Sequence, residues 1–212
     1  MKRKEFLRTA VTALTAAAAA GAPLLAHAQR RRSTAAAAGS LSTQEALDLK
    51  FMREEEKLAH DVYTALYAKW GSAVFANIAV SETDHTEAIL GLLTTYGVAD
   101  PAAGRAAGEF ENPDLQVWYH ALVALGQVSL AEALKVGALI EETDIRDIDE
   151  KMSNTTRTDI LGVLSSLQCG SRNHLRAFHK QLVARGIVYQ TQVISQEEWD
   201  AIASGSTERC PR

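Results

Sequence analysis

The sequence lacks the patterns that most directly indicate a catalytic or nucleotide-binding protein. It contains no glycine-rich phosphate loop, no local motif that marks a serine, histidine and aspartate as a catalytic triad, and no zinc-finger spacing of its two cysteines. Hydrophobic residues almost never alternate with period two, so strands are not expected outside residues 187–194. The chain is therefore expected to be helical, and its chemistry must come from another arrangement of side chains.

An excess of positive charge is also lacking. The formal net charge is −4, and it becomes −7 once residues 1–28, with four basic side chains and Glu5, are removed. An acidic protein argues against nucleic acid or an anionic membrane surface as the main partner. The sequence leaves the oligomeric state open, with a homodimer as one option.

The amino terminus carries an export signal. A basic start, an Ala- and Leu-rich run and the small-x-small site Ala26-His27-Ala28 are typical of a cleavable signal peptide over residues 1–28. Arg3-Lys4 resembles the twin-arginine pattern, with lysine as the second residue, although the ordinary secretory route gives a similar start. Residues 29–40 have no apolar period and are expected to be a flexible tether. We therefore predict a periplasmic or secreted protein with no membrane segment after signal cleavage.

Helix signals organise the rest of the chain. Capping boxes at Ser42-x-x-Glu45 and Ser129-x-x-Glu132, and a similar start at Thr156-x-x-Asp159, precede long stretches of helical apolar period. The predicted helices cover residues 42–70, 72–96, 113–125, 129–152, 156–185 and a final stretch around Trp199. The first two long helices are closely joined and so are the last two, whereas a long connection separates the pairs. This layout predicts an all-α four-helix bundle over residues 41–203, with one crossover connection, a short C-terminal helix and a tail at 204–212.

Charged residues interrupt the apolar stripe of the second long helix. Glu82 and His85 share the face that carries Ile78 and Ile89. Residues three apart lie on one side of a helix, so both side chains can reach a single ion. A buried carboxylate is costly unless something pairs with it, and a metal ion is a suitable partner beside an imidazole. Glu-x-x-His on an inward face is typical of carboxylate-bridged di-iron or di-manganese sites.

The other long helices carry further candidates. Glu141 replaces a hydrophobic residue in the stripe of the third long helix, and His174 does so in the fourth. The first long helix is ambiguous because Glu54, Glu55 and Glu56 are consecutive, and periodicity favours either Glu55 or Glu56 depending on which apolar residues define the stripe.

Other polar residues are interpreted as exposed. The acidic run over residues 141–150 predicts a solvated face in which only Glu141 is directed at the core. Three further histidines, His60, His120 and His179, have no matching partners and are expected at the surface or rim.

Two stretches resemble a known family. Residues 53–63, Arg-Glu-Glu-Glu-Lys-Leu-Ala-x-Asp-Val-Tyr, and residues 170–178, Gly-Ser-Arg-Asn-His-Leu-Arg-Ala-Phe, are similar to the exported group of the ferritin-like superfamily called domain of unknown function 2202. The resemblance covers nearly all of residues 41–202 and implies a ferritin-like bundle. It also favours Glu56 over Glu55 as the first-helix ligand, because Ala59 and Tyr63 follow Glu56 at the family's spacings.

The same resemblance implies a metal site for one or two ions of iron or manganese. Glu82 and Glu141 would be bridging carboxylates, with His85 and His174 as terminal ligands. One position departs from the pattern of ferritin-like di-metal proteins, whose last helix carries Glu-x-x-His, since Ser171 stands where that glutamate is expected. A neutral hydroxyl is a poor ligand for a hard divalent cation, which argues against full oxidase chemistry.

These observations lead to three functional hypotheses. The first is an exported metal-dependent protein that reacts with oxygen or peroxide, the second is a non-catalytic metal binder, and the third is a metal-free helical interaction scaffold with a buried polar network. Cys169 and Cys210 could form a disulfide in an exported chain, or Cys169 could be a ligand. The disulfide is favoured because Cys169 lies five residues before His174, on a different side of the helix.

Overall fold

The computed structural model describes residues 39–211, and the regular structure in that range is entirely helical. The helices are α1 (Thr43–Trp70), α2 (Ala73–Tyr96), α3 (Pro113–Gly126), α4 (Leu130–Ser153), α5 (Thr158–Val183) and α6 (Gln196–Ser204). The all-α prediction is therefore confirmed for this part of the chain. The predicted signal peptide and residues 29–38 of the predicted tether lie outside the described residues.

The helix starts predicted at Ser42 and Ser129 are confirmed, and Ser195 caps the final helix in the same way. Ser42 and Glu45 form a reciprocal capping box at α1, and the hydroxyls of Ser129 and Ser195 accept backbone N–H groups at the starts of α4 and α6. The start predicted at Thr156 is wrong. There, α5 begins at Thr158 after an uncapped Arg157, because the Thr155 hydroxyl bonds the Arg157 N–H and the Glu45 carboxylate.

Two of the long helices end directly before a glycine. Gly71 and Gly97 adopt left-handed backbone angles directly after α1 and α2, as expected for residues without a Cβ. By contrast, α5 ends at Val183, three residues before Gly186. Residues 187–194, the stretch left open as a strand, form no strand in the described structure.

The four long helices pack as a bundle. Residues 71–72 join α1 to α2 and residues 154–157 join α4 to α5, and the two resulting hairpins meet through α1 against α4 and α2 against α5. The shorter α3 covers α1 and α4, while α6 packs on α5. None of the helices in the described range is long and apolar enough to cross a membrane.

The interior contains two apolar clusters with polar residues between them. One cluster includes Tyr63, Phe75 and Phe178, and the other includes Met52 and Ile89. Along α2, the chain passes from Phe75 and the first cluster, through Glu82 and His85, to Ile89 and the second. Burial of the apolar clusters stabilises the bundle and holds the intervening polar residues away from water.

A disulfide between Cys169 and Cys210 ties the C-terminal tail to α5, as the sequence favoured, with a Cα–Cα distance of 5.5 Å. The tail is also held by Glu208, whose carboxylate accepts hydrogen bonds from Arg172 and Arg176. The described part of the predicted tail, residues 204–211, is thus held against α5.

Removal of this disulfide is expected to lower the free energy of unfolding of a Cys210→Ser variant by about 2–4 kcal/mol. The bond closes a loop with a sequence separation of 41 residues, so it restricts the unfolded chain. Urea denaturation under oxidising conditions measures the effect, and wild type with a reductant should match the variant. Equal midpoints for the oxidised wild type and the variant would contradict the prediction.

Candidate metal centre

The long helices bring the five predicted site residues together at the centre of the bundle. Glu56 comes from α1, Glu82 and His85 from α2, Glu141 from α4 and His174 from α5. The three glutamates have no exposed surface, and the exposed fraction is only 9% for His85 and 8% for His174. Four helices therefore direct three carboxylates and two imidazoles into a single enclosed volume.

These residues form two triads that share Glu82. In the first, ligand atoms of Glu56, Glu82 and His85 all lie within 4.8 Å of one another, and in the second the same holds for Glu82, Glu141 and His174. His85 Nδ1 is 2.7 Å from Glu82 Oε2 and 3.1 Å from Glu56 Oε2. His174 Nδ1 is 2.9 Å from Glu82 Oε1 and 3.4 Å from Glu141 Oε2. The two oxygens of Glu82 thus point into different triads.

The donor atoms of these triads are poorly satisfied by hydrogen bonds. Glu56 Oε1, both oxygens of Glu82, Glu141 Oε2 and His174 Nδ1 are buried without a hydrogen bond of ordinary geometry. Several stand at ion-pair distance from each other, so opposite charges face each other without directional bonds. Two ligand atoms bound at right angles to one ion at about 2.1 Å are about 3 Å apart, close to the separations found here. The residues present therefore fit a divalent cation in each triad.

The electrostatics of the centre reflect burial opposed by close pairing. Burial raises the pKa of Glu82, but the charges of His174 and His85 outweigh it and hold that pKa well below its ordinary value. Burial raises the pKa of Glu56 to about 7 despite the nearby His85. Burial lowers the pKa of His174, yet Glu82 and Glu141 raise it to about 10. Without metal, His174 is therefore a cation, and metal binding must displace its proton.

Hydrogen bonds from outside the triads orient two of these side chains. Tyr63 donates its hydroxyl to Glu141 Oε1, leaving Oε2 directed at His174. Ser81 Oγ lies 2.9 Å from His174 Nε2, so the Nε2–H can donate to it and Nδ1 remains free to bind a cation. The sequence pattern marked Tyr63 only through its spacing from Glu56, and it gave no signal for Ser81, which directly precedes Glu82.

An open groove of about 1080 Å³ leads to the imidazoles from solvent. It lies between α2 and α5, with Ser81, His85 and His174 in its lining, and the C-terminal tail contributes Cys210 to its wall. A small molecule or hydrated ion can therefore reach the histidine side of the centre, while the carboxylates lie deeper.

Gly170 is the point at which α5 leaves room for His85. A Cβ placed on Gly170 would lie 2.5 Å from His85 Nε2, too close for any carbon. We expect Gly170→Ala to displace the imidazole and weaken metal binding about 10-fold or more, measured by titration with Mn(II).

The matched control for this change is Gly162→Ala on the same helix. A Cβ there would meet no atom within 4 Å, so the variant should bind metal as wild type does and gain up to about 1 kcal/mol of stability. If Gly170→Ala and Gly162→Ala bind Mn(II) equally well, a Cβ at position 170 does not disturb the binding of metal by His85.

The structure corrects the interpretation of the acidic run in α4. Glu142 and Asp144 have no exposed surface, so Glu141 is not the only member directed inward. Glu142 Oε2 accepts hydrogen bonds from the backbone N–H groups of residues 192–194, which cover this side of α4. Burial first, and then the charges of Glu56 and Glu55, raise the pKa of Asp144 well above its ordinary value.

The three consecutive glutamates of α1 are all buried, which explains why periodicity could not separate them. Glu54 accepts hydrogen bonds from the backbone N–H groups of Glu111 and Asn112 in the long connection. Glu56 faces His85, and Glu55 is outside both triads. Of the other histidines, His120 is exposed and His60 and His179 are half-buried, and all three lie outside the triads.

Comparison with known proteins identifies relatives over most of the chain. The family described as "Uncharacterized protein domain (DUF2202)" matches residues 45–206. The chain is 46% identical to the uncharacterized protein MJ0754 of Methanocaldococcus jannaschii over 169 residues, which span 80% of this chain and 91% of that protein.

The fold is also similar to a solved structure. The crystal structure of the hypothetical protein MJ0754 from Methanococcus jannaschii DSM 2661 superposes with a TM-score of 0.79 at 44% identity, covering 82% of this chain and 100% of that one. The family match spans the whole set of helices that builds the centre. The chain therefore belongs to the DUF2202 family of uncharacterized protein domains.

Proposed function

We propose that this protein is an exported, ferritin-like metal-binding protein that holds one or two ions of iron or manganese. The observation that carries the proposal is the pair of triads sharing Glu82, with buried donor atoms that make no hydrogen bond. Protein side chains leave such atoms unsatisfied only at a considerable cost in free energy, and a cation between them removes that cost.

The ligands we propose are Glu56, Glu82, His85, Glu141 and His174. Glu82 would bridge two ions because its two oxygens belong to different triads. Ser171 is neutral and therefore contributes no charge to the centre, and its hydroxyl donates to the Leu167 carbonyl at 3.2 Å. Oxygen and imidazole donors suit iron and manganese better than they suit soft, thiolate-preferring ions.

A ferritin-like arrangement is supported by the order of the helices. Two closely joined hairpins, separated by a long connection that includes α3, match a four-helix bundle with one crossover. Glu-x-x-His on α2 and single carboxylates on α1 and α4 have the positions that carry ligands in such bundles. Export rests on the sequence signals within residues 1–28.

Reaction with oxygen or peroxide is the activity that best suits the centre. A bound iron or manganese ion would supply the electrons for reducing such an oxidant. The protein groups balance the metal charge, keep His174 oriented through Ser81, and exclude bulk water from the carboxylate side. The groove between α2 and α5 admits a small oxidant to the imidazole side.

Metal analysis of the purified protein tests this proposal. We expect the anaerobically purified protein to contain iron or manganese, or to take up one or two equivalents of Fe(II) or Mn(II). Subsequent exposure of the Fe(II)-loaded protein to air should oxidise the iron faster than in buffer, which separates an oxidase from a passive metal binder.

A metal-free scaffold is the alternative that one observation favours. The short His85–Glu82 and His174–Glu82 ion pairs could neutralise the buried charges without any metal. In that case the protein would bind none of the offered metals above buffer background, and its melting temperature would not change on adding Mn(II). Either result would reject the metal-binding proposal.

A further inference from the structure

Asp144 is a buried carboxyl at the centre that has no part in the five-residue ligand set. It follows Glu141 by three residues on α4, so both side chains lie on one side of the helix. Glu141-x-x-Asp144 repeats the spacing of Glu82-x-x-His85 on α2. The sequence suggested a solvated residue, but Asp144 has no exposed surface.

Both oxygens of Asp144 are buried without a hydrogen-bond partner. Burial, and then the charges of Glu56, Glu55, Glu141 and Glu82, raise the pKa of Asp144 well above its ordinary value. Glu141 belongs to the second triad, and Asp144 lies one helical turn from it on the same buried side of α4, so Asp144 borders the proposed centre from the α4 side. A carboxylate buried among other carboxylates is costly, so such a group takes up a proton unless a cation compensates its charge.

The charge balance of the centre points to the same residue. Two divalent cations carry four positive charges, and neutral imidazoles contribute none. Glu56, Glu82 and Glu141 supply three negative charges, and Ser171 is neutral where ferritin-like di-metal proteins carry a fourth carboxylate. One more carboxylate would make a two-ion centre neutral, which favours its burial.

We propose that Asp144 is the fourth carboxylate of the metal centre and compensates for Ser171. This inference rests on the proposed metal-binding function. The fourth negative charge would then come from α4 and not from α5, and a centre with four carboxylates favours two bound metal ions over one.

The test compares Asp144→Asn with wild type by anaerobic titration with Mn(II) and elemental analysis. Asparagine keeps the shape of the side chain and removes its charge. We expect wild type to bind two ions and the variant to lose one or to bind it at least 10-fold more weakly. Ser171→Ala, which removes a hydroxyl already bonded to the Leu167 carbonyl, is the control and should bind as wild type does.

Protein stability without metal provides a second readout. Removal of an uncompensated buried carboxyl should leave the melting temperature of metal-free Asp144→Asn unchanged or higher, so weaker binding would not reflect unfolding. If the variant fails to fold, a crystal of wild type soaked in Mn(II) gives the answer directly. Asp144 should then coordinate an ion or reach it through a single water, and an ion that Asp144 does not approach would overturn the inference.

Equal stoichiometry and affinity for Asp144→Asn and wild type would also overturn it, while leaving the proposed function intact. Failure of the proposed function is distinguishable, because wild type itself would then bind no Mn(II).

Discussion

Replacement of Glu82 by glutamine is expected to remove metal binding at both triads. Glu82 is the shared residue, with one oxygen 2.7 Å from His85 and the other 2.9 Å from His174. Loss of its charge removes a ligand from each ion and leaves too little negative charge to hold two cations. We expect the affinity for Mn(II) to fall at least about 100-fold, since even residues outside the ligand set change affinity about 10- to 100-fold.

Titration with Mn(II) and the melting temperature with and without metal measure this effect. The melting temperature of wild type should rise with added Mn(II), and that of Glu82→Gln should not. Circular dichroism establishes that the variant is helical. Glu87→Gln, on the exposed side of the same helix, is the matched control and should respond to metal as wild type does. A Glu82→Gln variant that still binds two ions tightly would show that Glu82 is not a bridge.

Replacement of Glu142 by alanine should cause the largest loss of stability among the changes considered. Its Oε2 accepts the backbone N–H groups of Gln192 at 3.0 Å, Val193 at 2.8 Å and Ile194 at 3.1 Å. Alanine leaves these three donors without their acceptor and creates a cavity beside α4. We expect the free energy of unfolding to fall by about 3–5 kcal/mol, measured by urea denaturation.

Two further variants distinguish the loss of these hydrogen bonds to residues 192–194 from a general effect of removing a negative charge. Glu142→Gln keeps an acceptor oxygen and should lose about half as much stability as alanine. Glu150→Ala, at an exposed position near the end of the same helix, should change stability by less than about 0.5 kcal/mol. Amide hydrogen exchange at residues 192–194 should accelerate in Glu142→Ala, and unchanged protection there would reject the proposed anchor.

The sequence was informative where polar residues interrupt a helical period. Glu82, His85, Glu141 and His174 each replace a hydrophobic residue at spacing three or four, and all four are buried together in the structure. Periodicity works here because each of these helices presents one stripe to the interior. The helix ends at Gly71 and Gly97 were equally readable, because their backbone angles favour residues without a side chain.

Periodicity was misleading where a helix is covered on more than one side. On α1, the long connection covers Glu54 and the centre of the bundle contains Glu56, so the three consecutive glutamates 54–56 are all buried. On α4, residues 192–194 cover Glu142, which a pattern of charges alone assigns to solvent. These contacts join residues about 50 positions apart in the chain, and no local signal encodes them.

The sequence by itself determined the helices, the caps at Ser42 and Ser129, and the inward polar positions Glu82, His85, Glu141 and His174, because these depend on neighbours within one or two turns. Only the tertiary structure decided that the oxygens of Glu82 divide between His85 and His174, that Ser81 orients His174, and that Asp144 is fully buried. The physical reason is that charge pairing acts over a few ångströms in space, and packing of distant helices sets which charges come that close.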